Sequence, residues 1–118
     1  MFISIEGIEC SGKSTLVEHL KEHSYTKRCF FTREPGGSRL SEDIRCLLLK
    51  DYKKRPVPES ELLLFLAARL QNYHEEIEPQ LIANTPVIVD RFHDSTIAYQ
   101  GAGRELGVNR VIDCIDLF

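Results

Sequence analysis

The apolar residues fall into short runs and helical stripes whose order lays out alternating strands and helices. Phe2-Ile3-Ser4-Ile5 is a β-prone run, and Leu16, Val17 and Leu20 follow it at helical spacing. A second β-prone run, Cys29-Phe30-Phe31-Thr32, ends in Arg33-Glu34-Pro35-Gly36-Gly37, a segment rich in turn formers. Ser41 ahead of Glu42 and Asp43 suits a helix start, because acidic side chains favour the first turn; Ile44, Leu47 and Leu48 then carry the apolar face. Pro56 and Pro58 read as the end of that segment. Leu62, Leu66, Leu70, Tyr73, Ile77 and Leu81 recur in steps of three and four. This predicts a long helix from near Ser60, kinked or divided at Pro79 and stopped near Asn84. Pro86-Val87-Ile88-Val89 lacks polar alternation and reads as a strand buried on both faces, as a parallel sheet requires. Val108, Val111, Ile112, Ile115 and Phe118 mark a last helical face.

The predicted order is strand, loop, helix, strand, helix, helix, strand, helix. It defines a three-layer α/β arrangement on a parallel sheet. Ligands in such sheets bind beyond the carboxyl ends of the strands. Three segments rich in chemistry fall at those ends: Gly7–Ser14, Arg33–Gly37 and Asp90-Arg91-Phe92. The first reads G-I-E-C-S-G-K-S, a complete G-x-x-x-x-G-K-[ST] phosphate-binding loop. Gly7 and Gly12 remove side chains where backbone N–H groups must approach phosphate oxygens. The helix that follows offers its N-terminal amides and dipole to negative charge. Lys13 is placed to reach the β/γ-phosphates, and the Ser14 hydroxyl to hold Mg²⁺. A phosphate loop facing two arginine-bearing loops suits phosphoryl transfer between two anionic substrates, since the planar guanidinium grips phosphate oxygens in pairs.

Length and charge narrow the classes. At 118 residues the chain makes one domain, and 42% apolar content suits a packed core. A net charge of −3 without a long basic run disfavours nucleic acid as a partner. Lys53-Lys54-Arg55, beside Pro56 and Pro58, reads as a solvated connection. No apolar stretch reaches the roughly 18 residues of a membrane span. There is no charged region followed by an apolar segment at the start, as a signal peptide would show. Together these predict a cytoplasmic protein without membrane partners. Cys10, Cys29, Cys46 and Cys114 lack the close spacing of a zinc site or a C-x-x-C pair and read as reduced thiols. Cys10 lies in the anion loop, either as a thiol disposed to ionise there or as a small residue the loop tolerates.

With these residues in hand, the chain resembles a thymidylate kinase of the bacterial type, from Phe2 to about Leu106. The resemblance rests on G-I-E-C-S-G-K-S-T, T-R-E-P-G-G-S followed by S-E-D-I-R, L-L-L-F-L-A-A-R, and D-R-F-H-D-S-T-I-A-Y-Q-G. The phosphate loop alone is unspecific; its combination with R-E-P-G-G, F-x-x-x-R and D-R-x-x-x-S-x-x-A-Y-Q-G is highly specific. It implies a P-loop NTPase fold, α/β/α on a parallel sheet, with residues 1–118 supplying the first three of the usual five strands of one nucleoside monophosphate kinase domain. It further implies transfer of the ATP γ-phosphoryl group to thymidine 5′-monophosphate (dTMP), Mg²⁺ as cofactor, and a homodimer.

By the same resemblance, Gly7, Ile8, Glu9, Cys10, Ser11, Gly12, Lys13, Ser14 and Thr15 hold ATP. Phe65 matches the aromatic that stacks on thymine, and Arg69 the donor to the base; four apart on one helix, they share a face. Arg91 matches the arginine on the acceptor phosphate, with Arg33 and Arg45 in the same pocket and Glu34 and Pro35 shaping its loop. Thr96, Tyr99 and Gln100 match residues on the sugar and base side. Glu9, Lys13 and Arg91 correspond to the catalytic set. Ser14 corresponds to the direct Mg²⁺ ligand, while Glu9 and Asp90 either hold metal-bound water or orient the acceptor.

Two departures qualify the likeness. Cys10 stands where family members with a lid arginine usually have glycine, and the family's lid lies well beyond residue 118. Resembling enzymes run to roughly 200 residues, the size of one such domain. The resemblance therefore implies a chain lacking two strands, the lid and the adenine loop, with the first strand's outer edge unpaired and low activity in isolation. A non-catalytic nucleotide-binding remnant is the alternative reading. The absence of an N-K-x-D run argues against a P-loop GTPase.

Overall fold

The computed structural model describes residues 1–118. Val87, Ile88 and Val89 are almost wholly withdrawn from water, and the strand they build, β3 (Val87–Asp90), is the middle of a three-stranded sheet. It pairs in parallel with β1 (Phe2–Ile5) on one side and β2 (Phe30–Arg33) on the other. A strand covered on both faces has no solvent side to serve, which is why its run is apolar without alternation. Asp90 stands opposite both Ile5 and Arg33. The ladder runs one bond further on each side: Arg91 N–H donates to Ile5 O at 3.1 Å, and Glu34 N–H to Asp90 O at 2.9 Å. The three loops therefore leave the sheet at one level. β1 is paired on one edge only.

Each helix begins or ends for a local reason, and several boundaries differ from those predicted. α1 (Lys13–Glu22) starts directly after Gly12, whose φ of 85° turns the chain. α2 (Arg39–Leu49) starts at Arg39, ahead of the predicted Ser41, because Ser38 is the cap and its hydroxyl accepts the Ser41 N–H. Ser41 is instead buried in the first turn, donating to Ala68 O at 2.7 Å and so tying α2 to α3 (Pro58–Asn72). Pro58 does not close a segment but opens α3, at a position where a helix needs no N–H.

The long stripe is divided as expected, though one turn ahead of the proline. α3 passes into a π-helical turn (Tyr73–Ile77) and then α4 (Glu78–Ile82), with Pro79 in the opening turn of α4. Asn84, at φ 56°, follows the end of α4. The segment between Phe92 and Val108, for which the apolar pattern predicts no element, is helical in part: α5 (His93–Thr96) continues into π-helical turns over Ile97–Gly103. Its residues carry too few apolar positions to show a helical period. α6 (Val108–Ile115) places Val111 against Leu62 and Leu66, and Phe118 lies past its end, exposed rather than on the apolar face. No helix is long and apolar enough to cross a membrane.

The Leu62–Leu66–Val111 cluster is what holds the carboxyl-terminal helix onto α3. Leu66→Ala is expected to cost about 2–5 kcal/mol in urea unfolding, the usual loss for a buried leucine. Leu63→Ala, one helical face away and 62% exposed, is expected to stay within about 0.5 kcal/mol.

Candidate functional site

A cleft of about 890 Å³ opens at the carboxyl ends of the strands. One wall is the loop between β1 and α1. Gly7, Ile8, Glu9, Cys10, Ser11 and Gly12 form this loop, and Lys13, Ser14 and Thr15 are the opening residues of α1. A Cβ on Gly7 would lie 2.7 Å from Ser11 Oγ, and Cys10 shares with Gly12 a positive φ. The first turn of α1 has neither an acidic residue nor a side-chain cap. Its amides are thus left for an anion, as a phosphate site demands. Glu9, Lys13 and Ser14 border the cleft, while Ile8 and Cys10 project outward, exposed. Lys13 Nζ stands 3.5 Å from Asp90 Oδ1, an atom with no hydrogen-bond partner.

Across the cleft lie the predicted acceptor residues, and most of their polar groups already hold one another. Arg69 is buried, with Nε donating to Glu34 Oε2 at 2.6 Å and Nη2 to Phe92 O and Thr96 Oγ1, each at 2.9 Å. Its Nη1 is left without a partner. Arg45 donates to Pro35 O at 2.8 Å and so braces the loop that follows β2. Arg33 Nη2 donates to both carboxylate oxygens of Glu42, at 3.0 and 2.9 Å, at the cleft's exposed margin. Gln100 donates to Glu61, whose other oxygen faces Arg104. Arg91, at φ 72°, donates to Ser95 Oγ and lies over the Tyr99 ring, 5.3 Å from its centre. Phe65 is half-buried on the same wall. All fourteen of Glu9, Lys13, Ser14, Arg33, Glu34, Pro35, Arg45, Phe65, Arg69, Asp90, Arg91, Thr96, Tyr99 and Gln100 border this cleft.

Two supporting residues were not foreseen from sequence. Glu6 Oε1 accepts the Phe92 N–H at 2.7 Å and Oε2 accepts the Ser95 hydroxyl, so one carboxylate closes the strained turn that presents Arg91. Its position, immediately before Gly7 at the carboxyl end of β1, was the available signal. Asn72, fully buried, receives the Thr32 hydroxyl at 3.2 Å. It lies three positions after Arg69, between Gln71 and Tyr73, where nothing in the local sequence marks it for burial. Burial pushes the Glu34 carboxyl up from its ordinary value, against the pull of Arg69 and Asn72 and with a further push from Glu6. His93, stacked on Phe92 at 4.1 Å, is lowered by burial and by Arg69, against the carboxylates of Asp94, Asp116 and Glu6.

A parallel α/β sheet with an uncapped helix start, entered through Gly12 and facing a cleft of arginines, defines a fold of the P-loop class. Within that class, residues 5–115 match the family described as "Thymidylate kinase", and the chain belongs to that family. It is 44% identical over 113 residues to the thymidylate kinase of Francisella philomiragia, covering 93% of this chain and 55% of that protein. It is 50% identical over 113 residues to that of Protochlamydia amoebophila, covering 93% and 50%. Its fold superposes on the crystal structure of thymidylate kinase from Ehrlichia chaffeensis with a TM-score of 0.85 at 43% identity, over 99% of this chain and 68% of that one. The chain spans about half the length of the curated relatives it matches.

The lowered His93 has a signed consequence. Between the ordinary 6.5 and its lower folded value the unfolded chain binds more protons, so stability falls as pH falls. Its contribution is fully present above about 6.5 and is lost on acidification through that window. Glu34 acts with opposite sign above 4.5, where its raised value lets the folded chain keep the proton and stability drop with rising pH. Urea midpoints of wild type and His93→Gln, measured from pH 7.5 to 5, separate the two; the difference between them is expected to shrink as pH falls through the His93 window.

Proposed function

We propose that this chain carries the donor-phosphate loop and the acceptor pocket of a thymidylate kinase, and that its cleft brings ATP and dTMP together for phosphoryl transfer. The observation that carries the reading is the convergence of the phosphate loop, the Arg91 turn and the Phe65–Arg69 face of α3 on one cleft. Family membership and the likeness to solved and curated thymidylate kinases support it.

Phosphoryl transfer asks a protein mainly to position its substrates and neutralise charge. The amides at the head of α1 cradle the donor phosphates, and Lys13 supplies the compensating charge, exchanging its Asp90 contact for phosphate oxygens. Arg91 holds the acceptor phosphate, its turn kept in place by Glu6 through Phe92 N–H and Ser95. Phe65 offers a face for the base and Arg69 a donor at its edge. The Ser14 hydroxyl, the Asp90 Oδ1 that faces Lys13 without a hydrogen bond, and Glu9 are oxygen donors on one side of the cleft, a set that suits Mg²⁺, which prefers one or two carboxylates beside substrate phosphates and water. Bound there, the ion would supply charge neutralisation for the transferring group.

The buried Glu34–Arg69 pair affects the choice of test. Removing Arg69 strands a carboxylate in the interior, at a cost of about 3–5 kcal/mol, so loss of binding in that variant would mix two causes. Phe65→Ala avoids this. Titration calorimetry is expected to show dTMP weakened by about 1–3 kcal/mol, the worth of one base–aromatic stack, with ATP unaffected. Lys13→Ala is expected to abolish ATP binding and thymidylate-dependent ADP formation while leaving dTMP binding and the circular dichroism spectrum in place. Equal losses of both nucleotides in Phe65→Ala would remove the acceptor assignment.

A further inference from the structure

Three residues of α3 that border the cleft, Glu61, Phe65 and Arg69, lie four apart, so one face of the helix carries a carboxylate, an aromatic ring and a guanidinium in a row. Phe65 and Arg69 have a part in the thymidylate reading; Glu61 has none. Its Oε1 accepts the Gln100 side-chain Nε2 at 3.0 Å. Its Oε2 faces Arg104 Nε at 3.4 Å, and Arg104 is itself fastened by donating Nη2 to Pro56 O at 2.8 Å. The carboxylate is thus held from two sides at the edge of the cleft.

The backbone around Gln100 leaves its amide little else to vary. Gln100 O accepts the Leu106 N–H at 3.4 Å, and Gly101 O accepts the Gly107 N–H at 3.0 Å. Gly101 also packs so closely on Val108 that an added Cβ would lie 3.3 Å from its Cα. Gln100 itself is 5% exposed. What remains is the half-turn that exchanges Oε1 and Nε2, two groups of nearly equal size and opposite hydrogen-bonding sense. A neutral amide or hydroxyl beside it would accept either orientation. An ionised carboxylate only accepts, so Glu61 draws Nε2 toward itself and leaves Oε1 at the opposite end. That oxygen accepts from no group of the protein and, unlike Arg69 Nη1, is not sealed from solvent.

We propose that Glu61 is a positioning residue that decides which pyrimidine edge the cleft reads: by fixing the Gln100 amide it presents an acceptor to a ring N–H, on the same wall as Arg69, which can only donate. Thymine and uracil match that pair with an N3–H beside a carbonyl oxygen. Cytosine offers an N3 lone pair and an amino group, the reverse at both places. Thr96 links the two readers, accepting from Arg69 Nη2 at 2.9 Å and lying four residues before Gln100. The choice of pyrimidine rests on the thymidylate reading above; the Glu61–Gln100 contact does not. Glu61 acts through Gln100 and meets no reacting atom.

Calorimetry with dTMP and dCMP on the 118-residue chain tests this, since a wall that merely loosened would weaken both alike. Glu61→Gln keeps size and shape but lets residue 61 donate as well as accept, so both orientations of the Gln100 amide become available. The preference for dTMP over dCMP is expected to fall about tenfold, the scale of one hydrogen bond exchanged between the two bases, with ATP affinity unchanged. Glu61→Asp, whose shorter carboxylate still only accepts, is expected to keep most of the preference. Arg104→Gln frees the carboxylate without altering α3 and is expected to lower the preference by less; it decides the matter if the Glu61 variants do not fold. An unchanged preference in folded Glu61→Gln overturns the proposal. The Gln100 Nε2–H₂ resonances in ¹⁵N NMR give a readout that needs no nucleotide: they are expected to be shifted and slow to exchange in wild type and to lose both properties in Glu61→Leu. Wild type that binds neither nucleotide would overturn the thymidylate reading, and resonances unaltered in Glu61→Leu would still overturn the role of Glu61.

Discussion

Because β3 pairs in parallel with β1 and β2, and Asp90 faces Ile5 and Arg33 at once, three loops distant in sequence leave the sheet side by side. Everything chemical in the molecule depends on that register. The phosphate loop, the Glu34 turn and the Arg91 turn each take their level from a ladder hydrogen bond at or next to the strand end. A slip of one residue would turn Asp90 and Arg33 to the opposite faces. The apolar run Val87–Val89, buried against both layers, makes such a slip costly. The same arrangement leaves β1 with one open edge, a feature that natural sheets usually cover or blunt.

The two sides of the cleft handle charge differently. On the side of the β1–α1 loop the protein leaves groups open: a helix start with no acid or cap, and one lysine held loosely by Asp90 at 3.5 Å. On the opposite wall it commits them. Arg69 is bound by Glu34, Phe92 O and Thr96, Arg45 by Pro35 O, and Arg91 by Ser95. A buried arginine with three of its contacts already made loses little freedom when a ligand arrives, which is how preorganisation improves affinity. Its cost is the desolvated Glu34 carboxylate, whose raised pKa reports the strain of burial that Arg69 and Asn72 only partly offset.

Helix boundaries show where sequence reasoning reached and where it stopped. The stripe from Leu62 to Leu81 and its division near Pro79 were visible, because apolar spacing and a missing N–H are local facts. The start of α2 was misplaced, because two serines compete and burial decides between them: Ser38 caps, while Ser41 is drawn inside to bond Ala68 O. The helical turns over His93–Gly103 went unseen. They are held by packing against neighbours, such as Gly101 beside Val108, and not by a period of their own.

The phosphate loop, the succession of strands along the chain and the positions of the arginines at strand ends were determined by sequence alone, since each follows from local spacing and from the rule that ligands meet parallel strands at their carboxyl ends. What each arginine does was decided only by the fold. Arg33 turning to Glu42, Arg69 locking onto Glu34, and Glu6 bracing the Arg91 turn all require contacts between residues apart in the chain. A charged side chain reads the same in sequence whether it meets a ligand, a partner or water; its burial and its nearest acceptor choose among these, and both are properties of three dimensions.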